Sequence, residues 1–104
     1  MDEILKKAAT IIDTYESGEW VTAVKLGELL RGLTWCHYRI TDINIEAGRE
    51  WNKEVYKFKG SDAAGQRFAD LTVPELRMTR KILTTISKAM DSMRSEIGIL
   101  RQES

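Results

Sequence analysis

The chain has one cysteine, one proline and one histidine, and its sixteen basic side chains balance sixteen acidic ones in 104 residues. Each scarcity closes off a class of protein. A lone cysteine, Cys36, cannot build an internal disulfide framework or a zinc site made of paired cysteines, and it suits a reducing compartment. A lone histidine, His37, leaves no histidine cluster to grip a metal. Zero net charge removes any global pull toward nucleic acid or an anionic membrane, so such binding would need a local patch. No segment reaches the ~18 consecutive apolar residues of a membrane span. The opening stretch MDEILKK lacks the apolar run of a signal peptide, so the expected location is the cytoplasm.

The chain is rich in helical patterning. Apolar residues make up 42% of it and charged ones 31%, a balance that suits solvated helices and argues against disorder. Two apolar seams step alternately by three and four. One is Leu26, Leu29, Leu33, Cys36, Ile40, Ile43, Ala47; the other is Leu83, Ile86, Met90, Met93, Ile97, Leu100, reaching back to Leu76. That alternation keeps a stripe on one side of a helix and matches knobs-into-holes packing. The expected fold is all-α: a long antiparallel, coiled-coil-like helical hairpin with a shorter N-terminal helix packed on it, completed as a bundle by oligomerisation. The length fits one domain over residues 1–104, whose modest core needs a partner or unusually good helix packing.

The first helix is expected over about 2–16, where Ile4, Leu5, Ala8, Ile11, Ile12 and Tyr15 form an amphipathic stripe behind Asp2 and Glu3. Ser17-Gly18 breaks it, and Ser17 can cap the next helix. The second helix is expected over about 19–58, without proline but weakened at Gly27, Gly32 and Gly48, where another helix could approach closely. Residues 59–71 read as a flexible loop because Gly60, Ser61, Asp62 and Gly65 are turn formers. The third helix is expected over about 73–102, with Thr72 as cap, Pro74 in the first turn and Glu75 closing a capping box.

With Leu26 at heptad position a, several large groups fall off the seam: Trp35 at c, Tyr38 and Ile45 at f, Leu30 and Trp51 at e. The first helix is long enough to reach back only to about Trp35. Trp35, Tyr38, Ile45 and Trp51 are therefore the candidate oligomer interface, with a homodimer favoured. The competing reading has Phe68 and Leu71 folding the loop back over them.

Three patterns invite chemistry. Cys36 and His37 are adjacent, so on a helix they point about 100° apart and cannot share one ion or one proton; Cys36 reads as a small core residue. Glu46, Glu50 and Glu54 form a carboxylate ridge that could hold magnesium in an all-α nucleotide hydrolase. Opposite it the expected register places Arg77, Arg80 and Lys81, which predicts an interhelical salt-bridge ladder, Glu50 to Arg80 and Glu54 to Arg77. Arg77, Arg80, Lys81, Thr84 and Lys88 also make a basic, hydroxyl-bearing face able to take phosphate from a nucleotide or nucleic acid. The 60–65 stretch lacks the Gly-Lys-Ser/Thr ending of a phosphate loop.

The preferred reading is a non-enzymatic interaction or assembly protein without cofactor or metal, which self-associates through the second helix and binds a protein partner. The alternative is an oligomeric binder of a phosphate-bearing ligand, and third comes the metal-dependent hydrolase. In general look the chain resembles small helical accessory proteins of bacteria and their viruses, a likeness carried by no residue motif.

Overall fold

Thr22, not Ser17, starts the long helix: its Oγ1 accepts the Lys25 N–H at 3.1 Å, an N-cap on the first turn. The structure, a computed structural model, describes residues 2–18 and 22–103. Among them it has four helices and no strand: α1 (Asp2–Ser17), α2 (Ala23–Lys57), α3 (Asp62–Thr72) and α4 (Glu75–Glu103). The expected start of the second helix at Glu19 lies outside the described residues. Ser17 instead ends α1, its hydroxyl donating to the Thr14 carbonyl, and Gly18 turns the chain with φ +72, a conformation natural only to glycine.

α2 and α4 form the antiparallel hairpin. From α2 the seam buries Leu26, Leu33, Cys36, Ile40 and Ala47; from α4 it buries Ile86, Met90 and Met93. Leu26, Leu33, Ile40, Ile86 and Met93 are almost wholly excluded from water, each contributing on the order of 1.5–3 kcal/mol through burial. α1 packs on the N-terminal half of α2 and touches α4. Its Ile11 side chain lies 3.0 Å from where a Cβ on Gly32 would stand, so Gly32 is one of the expected close approaches. Gly27 meets nothing within 4 Å. With 35 residues, α2 is about 52 Å long. The extents of 62 × 24 × 19 Å and the radius of gyration of 17.9 Å exceed the roughly 13 Å of a compact domain this size. An elongated shape leaves much helix surface uncovered.

The expected loop over 59–71 is the main correction. It contains α3, capped by Ser61, whose Oγ accepts the Ala64 N–H at 3.2 Å, with Asp62 in the first turn. α3 packs on the C-terminal half of α2 through small buried positions, Gly65 and Ala69, beneath a stack of Phe58 on Phe68 with centroids 5.4 Å apart. Gly60 is needed beside it: a Cβ there would stand 2.7 Å from the Phe58 ring. Thr72 belongs to α3, its hydroxyl donating to the Phe68 carbonyl, and so does not cap the last helix. There Met78 N–H donates to the Pro74 carbonyl, which opens α4.

α3 also shifts the hairpin register. Asn44 Nδ2 donates to Thr79 Oγ1 at 2.8 Å and to the Leu76 carbonyl at 3.3 Å, and His37 Nε2 lies 3.2 Å from Ser87 Oγ. Residue 77 therefore stands opposite a point about one heptad earlier on α2 than expected. α4 begins part-way along α2 because α3 occupies the end. The predicted ladder is absent among the described residues: Glu50 pairs with Lys53, Glu54 with Lys57 and Arg77 with Asp70. Thr79, fully buried, fills the seam position between Leu76 and Leu83.

Candidate functional site

Three helices meet where α4 begins, and they leave a cleft of about 460 Å³ between them. α2 contributes Asn44, Ile45, Trp51 and Asn52; α3 contributes Gln66 and Asp70; α4 contributes Leu76, Arg77 and Arg80. The tie among them is Asp70. Its Oδ1 accepts the Trp51 indole N–H at 2.9 Å and its Oδ2 accepts Arg77 Nη2 at 2.9 Å. One carboxylate thus fastens α3 to both α2 and α4. Arg80 lines the same cleft and has no side-chain hydrogen bond or ion pair among the described residues. The amides of Asn52 and Gln66 also lack side-chain partners among them.

The candidate interface residues separate. Trp51 is half-buried by α3 and hydrogen-bonded to Asp70, so its own chain covers it. Trp35 is 46% exposed, but Lys7 Nζ stands 4.4 Å from its ring centroid and Arg39 lies 6.0 Å away. α1 therefore reaches Trp35, as its length predicts, and engages the ring by cation–π attraction. Tyr38, 66% exposed, and Ile45, 49% exposed, stay open, and Tyr56 is 90% exposed further along α2. Sequence reasoning missed Tyr56, although it follows Ile45 by eleven residues and so repeats the same face to within about 20°.

The five residues of the basic face also separate. Arg77 and Arg80 line the cleft. Lys81 borders a groove between α1 and α4, and Lys88 borders a second one near Tyr15. The Thr84 hydroxyl donates back to the Arg80 carbonyl. All five are exposed.

The chemistry-bearing residues are quiet. Cys36 is fully buried, and burial pushes its thiol above the ordinary range, a protonated sulfur unsuited to attack. His37 bonds across to Ser87 as a link between α2 and α4. Glu46 pairs with Arg49 three residues on, as Glu50 and Glu54 do with their lysines. Among the described residues no three His, Cys, Asp or Glu side chains converge on a point that could hold a metal ion. No helix among them is long and apolar enough to cross a membrane. No family model, curated protein or solved structure matches the chain.

Proposed function

We propose that this is a non-enzymatic helical assembly protein that pairs with a second copy of itself through the outer face of α2 and in that form holds a macromolecular partner. The observation that carries the reading is the row Tyr38, Ile45 and Tyr56 along one face of α2, large side chains that stay 66%, 49% and 90% exposed, with Ile45 also bordering the cleft. Trp51, covered by α3, drops out of the proposed surface, and Trp35 stands at its margin.

The charges on this face favour a particular pairing. Asp42 lies one turn before Ile45 and Arg49 one turn after it, and both are exposed. A two-fold axis near Ile45 runs two α2 helices antiparallel. It sets Asp42 of one copy beside Arg49 of the other, twice, and brings the two Ile45 side chains together. Arg49 already pairs with Glu46 within its own helix, and the acidic partner across the axis adds to that pair.

Cysteine cross-linking tests the arrangement, since Cys36 is buried and does not compete. An Ile45→Cys chain should form a disulfide-linked dimer under mild oxidation. A Tyr56→Cys chain, three turns from the axis, should stay monomeric on a non-reducing gel. Equal cross-linking at both positions, or none at Ile45→Cys, would rule out this pairing.

A further inference from the structure

We propose that the cleft between α2, α3 and the start of α4 is a binding site for a nucleoside monophosphate, a ligand with one phosphate and one flat ring that bears donors and acceptors. This inference does not rest on self-association, and it shares one residue, Ile45, with the proposed pairing face. Its volume of about 460 Å³ lies within the range of small-ligand clefts.

The charge count sets the anion. Two arginines line the cleft, and Asp70 offsets one of them by holding Arg77 Nη2. Arg80 keeps its whole fork of donors unused among the described residues. One free guanidinium, the remaining N–H groups of Arg77 and the positive end of the α4 dipole suit a single phosphate group better than a di- or triphosphate chain.

The rest of the lining sets the ring. Trp51, Ile45 and Leu76 provide apolar surface, and the Trp51 indole is held in place by Asp70. Asn52 and Gln66 flank this surface from two helices, their amides unpartnered among the described residues. An amide offers a donor and an acceptor side by side, which is the pattern that pairs with the edge of a nucleobase. The cleft exists only because α3 folds over the end of α2, so all its polar groups come together from three separate stretches of sequence.

The test is isothermal titration of the full chain with each of the four common ribonucleoside monophosphates, with inorganic phosphate and with adenosine, repeated on Arg80→Ala and Gln66→Ala. Both side chains are exposed, so both variants should keep the wild-type melting temperature. At least one nucleotide should bind more tightly than either phosphate or adenosine. Arg80→Ala should weaken it by about ten- to one-hundred-fold, the loss of a charge-assisted hydrogen bond. Gln66→Ala should weaken the nucleotide while leaving inorganic phosphate unchanged. The Trp51 indole N–H resonance, assigned through Trp51→Phe, should shift on titration. Absence of binding by all four nucleotides, binding indifferent to Arg80→Ala, or phosphate binding as tightly as the best nucleotide would overturn the assignment. Should Arg80→Ala melt early, Arg80→Gln replaces it, and the same weakening is required.

Discussion

Removing the Asp70 carboxylate should release α3 and leave the hairpin standing. Asp70→Ala deletes the acceptor of the Trp51 indole N–H and the partner of Arg77, both at 2.9 Å. A hydrogen bond to a charged group is worth about 1.5–3 kcal/mol when shielded. Here Trp51 and Asp70 are only half-buried, which places that bond near the low end. The Arg77 side chain is 72% exposed, so its ion pair adds at most about 1 kcal/mol. The sum is about 2 kcal/mol. α3 has eleven residues, too few for an isolated helix to persist in water, so its order rests on such tertiary ties. Native-state hydrogen exchange reads the effect directly. Amides of α3 should exchange about thirty-fold faster in Asp70→Ala, the equivalent of about 2 kcal/mol, while those around Ile40 and Ile86 keep their protection. Asp70→Asn retains a neutral acceptor for Trp51 and loses the ion pair, so it should show an intermediate change, smaller than that of Asp70→Ala. Unaltered α3 protection in Asp70→Ala, or equal loss in α3 and in the seam, would refute the picture of α3 as a separately latched element.

The glycines of α2 divide by their surroundings. Gly27→Ala should stabilise by about 0.5–1 kcal/mol, whereas Gly32→Ala, facing Ile11 at 3.0 Å, should gain less or lose, and equal rises in melting temperature would contradict this. Thr22→Ala should cost about 0.5–2 kcal/mol in urea unfolding because the Lys25 N–H loses its cap; an unchanged midpoint would deny the cap. Alkaline pH should destabilise the fold. Burial raises the Cys36 thiol, and burial followed by the Glu96 charge raises the Tyr15 hydroxyl, so the unfolded chain gives up these protons first. Their contribution is intact below the unfolded pKa values and is lost as pH climbs toward the native ones. Cys36→Ala should flatten part of that alkaline slope, and an identical slope would assign it elsewhere.

The hairpin, the N-terminal helix and the core place of Cys36 could be read from apolar spacing, because that spacing reports which side of a helix faces its neighbour. The register could not. A seam that repeats every seven residues packs equally well after a slip of one heptad, and the choice falls to polar pairs such as Asn44 with Thr79. Thr79 hid in the seam because its hydroxyl disguises a buried position. α3 escaped notice because it packs through Gly65 and Ala69, which make no apolar stripe. Its signal was there in Ser61 followed by Asp62, a cap and a first-turn acid. Missing α3 also left Trp51 without its Asp70 partner and dispersed the cleft, whose members only the three-helix junction brings together.

Sedimentation equilibrium of the full chain across micromolar concentrations tests self-association most directly. The expected result is a mass approaching twice the 11.9 kDa of one chain, falling toward the single-chain mass when Tyr38→Ala and Ile45→Ala are combined. Tyr38 and Ile45 are 66% and 49% exposed, so burying what remains is worth on the order of 1 kcal/mol apiece in each copy, enough in sum for their loss to shift the equilibrium. A wild-type chain that stays at 11.9 kDa over the whole range would contradict the assembly reading.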